Sequence, residues 1–209
     1  MHHPERLSPT RPLRATQIRV IGYDAERFEE TQITDLQAVP AFLQKWPVTW
    51  INVDGLGDAT VITELGRMFN LHRLALEDVV HVHQRAKAEP YGEYYFLVAR
   101  MPRPNQPGRT EQISFFFGEH YVITFQEHPG GDCLDPVRAR IRSGWGRGRA
   151  VRPDYLVYAL LDNIVDHYFP LTEQCGERLD DLEAIVTKGP LPEVPDHLAA
   201  AGRGQYPAA

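Results

Sequence analysis

Val48-Thr49-Trp50-Ile51-Asn52-Val53-Asp54-Gly55-Leu56-Gly57-Asp58 is the stretch on which the fold reading turns. Its first six residues are β-branched or aromatic apart from Asn52, the composition of a strand. Asp54-Gly55 and Gly57-Asp58 punctuate its end. Asp58 then stands as the N-cap of a helix through Phe69, because a short carboxylate can accept an orphan N–H of the first turn. Val61, Ile62, Leu65, Met68 and Phe69 fall on one face of that helix at 3.6-residue spacing. A strand feeding straight into an amphipathic helix calls for a layered α/β arrangement, since the apolar stripe must be buried against a sheet.

Working outward, residues 17–21 form a short β-branched run ending at Gly22, and Asp35 opens a helix towards Trp46 that Pro40 interrupts and Pro47 closes. A further helix begins at Leu74, with Leu74, Leu76, Val79 and Val80 apolar and Glu77-Asp78 polar. Residues 94–101 are near-continuously apolar, which predicts a strand buried on both faces. Two β-rich runs, 112–117 and 121–126, flank Gly118-Glu119-His120 and predict a hairpin. Residues 135–141 read as a short helix. From 154 to 186 a long amphipathic pattern follows, with Leu156, Leu160, Ile164 and Tyr168 on one face and Pro170 dividing it.

The expected class is α/β (α+β mixed): a mixed parallel and antiparallel sheet sandwiched between helices, followed by the start of a long acidic helix. The expected organisation is a disordered N-terminus over 1–14, an α/β domain over 15–152, an acidic helical segment over 153–188 and a disordered tail over 189–209.

The chain has 209 residues, of which 43% are hydrophobic and 24% charged. These are ordinary values for a globular protein, and they argue against wholesale disorder or a cysteine-stapled scaffold. The net charge of −6 argues against broad nucleic-acid binding. Two distant cysteines, Cys133 and Cys175, make no disulfide framework and fit a reducing compartment. Residues 1–13 lack the apolar core of a secretory signal, and no apolar run approaches the ~18–20 residues that span a bilayer.

Several groups are candidates for chemistry. Glu77 and Asp78 are adjacent carboxylates near a helix end, and oxygen ligands suit Mg²⁺ or Ca²⁺. Asp162 and Asp166 are four apart and share a helical face, as do Glu173 and Glu177. Like charges so placed destabilise a lone helix by about 0.2–0.5 kcal/mol per pair, which a cation, a basic partner or the upstream arginines would relieve. Those arginines, Arg138, Arg140, Arg142, Arg147, Arg149 and Arg152, surround Gly144, Trp145, Gly146 and Gly148. They suggest phosphates with Trp145 stacking, but the acidic total opposes a nucleic-acid role. His81-x-His83 supplies two zinc-type ligands where a structural site needs four. No nucleophile–base set, phosphate loop, H-E-x-x-H or complete dinucleotide fingerprint is present, so catalysis is not expected.

Seven ordered blocks carry more information. They are Thr49-Trp50-Ile51-Asn52-Val53; Phe69-Asn70-Leu71-His72; Leu76-Glu77-Asp78-Val79; Val82-His83-Gln84-Arg85-x-Lys87; Phe125-Gln126-Glu127; Asp135-Pro136-Val137-Arg138-x-Arg140-Ile141-Arg142; and Asp154-Tyr155-Leu156-x-Tyr158-x-Leu160-x-Asp162, leading to Val165-Asp166-x-Tyr168-Phe169. In this order, over about residues 15–186, they closely resemble the N-terminal cytoplasmic domain of the CorA magnesium and cobalt transport family, whose architecture related zinc transporters share.

The resemblance implies the cytoplasmic, Mg²⁺-sensing domain of a homopentameric divalent-cation channel. By motif position Asp78 resembles an inter-subunit metal ligand with Glu77 beside it, and Asp162 an acidic residue of a second site, with Asp166 one turn on. The implied ligand is weakly held regulatory Mg²⁺, with Co²⁺ or another divalent cation as alternatives. The implied partners are further copies of the chain or full-length family subunits, with no nucleic acid. Opposed carboxylates about 5 Å apart repel by roughly 3 kcal/mol at an effective dielectric near 20, and an ion between subunits would offset this. The chain has no Gly-Met-Asn pore motif and no apolar 20-mer, and the family's aspartate that would face Asp78 has no counterpart here. The expectation is therefore a chain that does not transport by itself and meets the membrane only through helices it lacks. It would be a truncated transporter, with the zinc-transporting branch of the same family as one alternative and a free-standing soluble relative that binds full-length subunits as the other.

Overall fold

The computed structural model describes residues 16–187 except 104, 105, 107 and 145. The expectations for 1–14 and 189–209, and the stacking role of Trp145, lie outside the described residues. Two compact units divide at Tyr168/Phe169, so the helix preceding the division belongs with the sheet.

The first unit is built on one seven-stranded sheet. Its strands are β1 (Gln17–Tyr23), β2 (Phe28–Ile33), β3 (Val48–Asp54), β4 (Lys87–Tyr91), β5 (Tyr94–Pro102), β6 (Thr110–Phe117) and β7 (Tyr121–Gln126). Their order is β2-β1-β3-β7-β6-β5-β4. Only β3 and β7 pair in parallel, with Asn52 opposite Thr124 and Asp54 opposite Gln126. The others pair antiparallel, including the β6–β7 hairpin around residues 118–120.

Helices α1 (Val39–Lys45), α2 (Ala59–Met68) and α3 (Arg73–Val80) cover one face, and α4 (Asp135–Ser143) and α5 (Pro153–Asp166) the other. The period of two along each strand produces both cores. In β1, Ile18 and Val20 join the α1–α3 side, while Ile21 and Tyr23 join the α4–α5 side. In β3, Ile51 and Val53 take the first side, and Val48 and Trp50 the second. The mixed sheet between helices is thus the observed class.

Local chemistry sets several boundaries. Asp58 caps α2 by accepting from Thr60 N–H at 2.9 Å. Asp35 caps a short 3₁₀ turn (Leu36–Ala38), and Pro40 sits in the first turn of α1, where its missing N–H costs nothing, so it starts this helix and does not interrupt it. Gly22 is required by close approach: a Cβ there would lie 2.1 Å from Cδ1 of the Trp46 ring. The strand over 94–101 is not buried on both faces as expected. β5 lies next to the edge strand, and Tyr95 on its second face is 53% exposed. Of the apolar residues of α3, Leu74 and Val80 are exposed; Ala75 and Val79 are the buried pair.

The second unit is described by α6 (Phe169–Thr187), which carries Pro170 in its first turn and none of whose residues is buried. Pro170 therefore begins this helix, as proline at a first turn does.

Two carboxyls, the buried Glu111 and the half-buried Asp54, give the first unit a distinctive response to pH. Glu111 is 1% exposed and accepts from His128 N–H at 2.9 Å. Burial pushes its pKa up to about 7, and burial with the neighbouring Asp132 pushes Asp54 up to about 6. Between the ordinary Glu value of 4.5 and about 7, the folded chain binds more protons at Glu111 than the unfolded one. This contribution to stability is complete below the lower value and is lost as pH rises through the upper. Glu111→Gln keeps the acceptor for His128 N–H and removes the titration. It should flatten the fall of stability from pH 4.5 to 7 and leave the variant more stable than wild type at pH 8, as read by urea unfolding. An unchanged slope would show that Glu111 does not titrate there.

Candidate metal site on helix α3

Helix α3 is held at its N-terminal end by His72. The His72 ring Nδ1 accepts from Leu74 N–H at 3.2 Å, and His72 N–H donates to the Tyr94 hydroxyl at 2.7 Å. Ala75 and Val79 press the helix onto the sheet, which turns the side carrying Glu77 and Asp78 outward. The side chain of Asp78 is 24% exposed and that of Glu77 43%.

Each carboxylate already has a cation. Arg73 Nε donates to Glu77 Oε1 at 2.9 Å, one helical turn away. Lys87 Nζ, on edge strand β4, donates to Asp78 Oδ2 at 2.7 Å and to Glu89 Oε1 at 3.0 Å, and lies 5.3 Å from the Phe96 ring centroid. Partial burial opposes the charge on Lys87, but its hydrogen bonds to Asp78 and Glu89 outweigh this and hold its pKa above the ordinary lysine value. The Asp78 carbonyl accepts from Gln112 Nε2 at 2.8 Å, which anchors this turn of α3 to β6. The site is therefore a carboxylate pair at the negative end of a helix dipole, balanced by one lysine and one arginine.

Asp162 and Asp166 stand elsewhere. They lie on the exposed side of α5, whose Leu160, Asn163 and Ile164 face the sheet. Neither has an ion-pair partner among the described residues. Because α3 packs on one face of the sheet and α5 on the other, the sheet separates Glu77 and Asp78 from Asp162 and Asp166 within one chain. No group of three or more His, Cys, Asp or Glu side chains suited to one metal ion occurs among the described residues. Of the His81-x-His83 pair, His81 places its ring Nδ1 2.8 Å from the Glu77 carbonyl.

Sequence reading missed two arrangements. One is Lys87 as the counter-ion of Asp78, since no spacing rule joins a helix to an edge strand nine residues on. The other is a buried polar chain beneath α4. Trp50 Nε1 donates to Thr124 Oγ1 (2.9 Å), Thr124 Oγ1 to Asn52 Oδ1 (2.7 Å), and Gln126 Nε2 to both Asn52 Oδ1 (2.8 Å) and Asp132 Oδ2 (2.9 Å). Arg138 closes it with a two-pronged bond to Asp132 and a third to Asp135. Of the arginines read as one patch, Arg138 is thus internal, Arg142 pairs with Glu30 and Arg152 with Asp154.

The family model described as "CorA-like Mg2+ transporter protein" matches residues 47–203, which include α3 and Asp78. The chain belongs to this family. The cobalt/magnesium transport protein CorA of Thermotoga maritima is 39% identical over 177 residues, 83% of this chain. The chain spans 50% of that relative's length. Among solved structures, the soluble domain of CorA from Methanocaldococcus jannaschii aligns with a TM-score of 0.61 at 12% identity, over 82% of this chain and 65% of the other. The ZntB cytoplasmic domain from Vibrio parahaemolyticus aligns at 0.56 with 14% identity, over 79% of this chain and 64% of the other. At such identities these two likenesses establish the CorA-like fold alone. Among the described residues, no helix of this CorA-like chain is long and apolar enough to cross a membrane.

Proposed function

We propose that this chain is the cytoplasmic, cation-sensing part of a CorA-like divalent cation transporter. Mg²⁺ is the sensed ion and Co²⁺ the other candidate cation. The observation that carries the reading is Asp78: a partly exposed carboxylate near the C-terminal end of α3, beside Glu77, with the Lys87 ammonium as its side chain's one ion-pair partner among the described residues. The helix dipole adds negative potential there, and the hard oxygen donors suit Mg²⁺, which keeps several of its waters. Two carboxylates supply too few ligands for a closed cage. Water and a second subunit complete the shell, so ion binding favours the assembled state, a pentamer in the parent protein. Asp162 and Asp166 present a second acidic patch to a neighbouring subunit in the same way. Transport itself belongs to the membrane-spanning part of that parent, and no step here is catalytic.

The test is Mg²⁺-dependent thermal unfolding of this chain. With a millimolar dissociation constant, a tenfold excess of ion stabilises the folded state by about 1.4 kcal/mol, or roughly 3–6 °C for a domain of this size. Asp78→Ala should remove most of that shift while leaving the melting temperature in EDTA nearly unchanged. No Mg²⁺ response up to tens of millimolar in wild type would overturn the reading.

A further inference from the structure

The loop between α4 and α5 builds a cleft unrelated to the carboxylates of α3. It has two adjoining arms that share the lining residues Gly146, Arg147 and Tyr155. The narrow arm has a volume of about 130 Å³ and is also lined by Arg140. The wide arm, about 740 Å³, opens past Val151 and Tyr158. Gly146 has a left-handed φ of 62°, and a Cβ built on it would meet no heavy atom within 4 Å, so backbone lines the cleft where a side chain would otherwise project.

The charges around this cleft do not cancel. Arg140 and Arg147 have no side-chain hydrogen bond or ion pair among the described residues. Arg149 donates to the carbonyls of Ile141 (2.7 Å), Glu26 (2.6 Å) and Arg142 (2.8 Å) and lies over the Phe28 ring at 5.1 Å, so its position is fixed, and among the described residues no carboxylate pairs with it. Arg152 and Asp154 cancel each other. Three uncompensated guanidinium groups therefore stand around one concavity in a chain whose net charge is −6. Such a cleft concentrates anions, and the planar guanidinium fork matches phosphate oxygens two at a time. The narrow arm is the one lined by both Arg140 and Arg147. In the wide arm the Tyr155 and Tyr158 rings, with centroids 5.9 Å apart and planes tilted by 43°, each offer a face on which a planar base can stack.

We propose that this cleft binds a small phosphate-bearing ligand of the nucleoside phosphate class, with the phosphate between Arg140 and Arg147 and the base against Tyr155 and Tyr158. The proposal uses neither Glu77 nor Asp78, so it stands or falls apart from the cation reading. Titration calorimetry of the whole chain in EDTA tests it with ADP, AMP, inorganic phosphate and adenosine. ADP and AMP should bind more tightly than inorganic phosphate, and adenosine should give no heat. Arg140→Gln and Arg147→Gln should each weaken ADP by about tenfold, the worth of one charge-assisted hydrogen bond. Tyr158→Ala should weaken ADP and leave phosphate unchanged. Absence of binding by ADP and phosphate alike, or binding indifferent to both arginine variants, would overturn the site. Equal affinity for phosphate and ADP with no effect of Tyr158→Ala would overturn the nucleoside part. The Mg²⁺ response of the arginine variants should match wild type, which separates this site from α3.

Discussion

Replacing Arg138 by Met should destabilise the first unit by about 3–5 kcal/mol, enough to remove a large share of a typical domain's stability. Arg138 is 2% exposed, and Asp132 at 4% is its partner through two bonds, one from each terminal nitrogen, with lengths of 2.7 and 2.5 Å. The guanidinium also lies 5.2 Å from the Trp50 ring centroid. Methionine replaces much of the volume, so the loss is chiefly that of leaving Asp132 charged and buried. Burial alone would raise the Asp132 pKa, and it is the bonds from Arg138 that bring it below the ordinary carboxylate value. Two consequences separate this cause from lost packing. The deficit should shrink in acid, because without Arg138 the Asp132 carboxyl takes up a proton more readily. Adding Asp132→Asn should recover much of the loss, since a neutral amide needs no counter-charge and its one carbonyl oxygen can still accept from Leu134 N–H. Urea midpoints for wild type, the single variant and the double variant at pH 5 and 8 measure all of this. A single-variant cost below 1 kcal/mol would show that the pair contributes little.

Phe116→Ala should cost a similar amount, about 3–5 kcal/mol, while Phe117→Ala beside it costs much less. Phe116 is fully buried on the side covered by α1–α3. Its ring centroid lies 4.7 Å from Phe96, 5.9 Å from Tyr94 and 5.9 Å from Phe125. Truncation opens a cavity among three aromatic rings that cannot all close it. Phe117 faces the other side, partly exposed and stacked on Tyr95 at 5.4 Å. The change also has a route to the metal site. Tyr94 packs on Phe116, and its hydroxyl receives the His72 N–H at the start of α3. Loosening Tyr94 should therefore weaken the Mg²⁺ response as well as the fold. Thermal melts of both variants with and without Mg²⁺ give the comparison, and equal costs at 116 and 117 would contradict the assigned faces.

Particular elements mark the division between what local sequence carries and what the fold adds. Strand β3, the β6–β7 hairpin and the capped helix α2 were legible because their signals are local. Each is a period, a turn or a cap read within about a dozen residues. Both edge strands escaped that reading. β2, Phe-Glu-Glu-Thr-Gln-Ile, is polar because an edge needs little burial. β4 contains Pro90, which an edge strand tolerates because a missing ladder N–H can face solvent. The family, too, was legible as an ordered set of short blocks, and Asp78 and Glu77 came with it.

What the chain alone determined, then, is its alternation of apolar residues, its caps and turns, and hence a sheet between helices with a carboxylate pair on α3. The tertiary structure decided which charges meet. It placed Lys87 on Asp78, joined Asp132 to Arg138 beneath α4, set Asp162 and Asp166 across the sheet from Asp78, and brought Arg140 and Arg147 to one cleft with no ion-pair partner among the described residues. The physical reason is range. Periodicity and capping act between residues three or four apart and are written in the order of the chain. A salt bridge or a cleft joins side chains whose proximity exists only after strand pairing has fixed the position of every element.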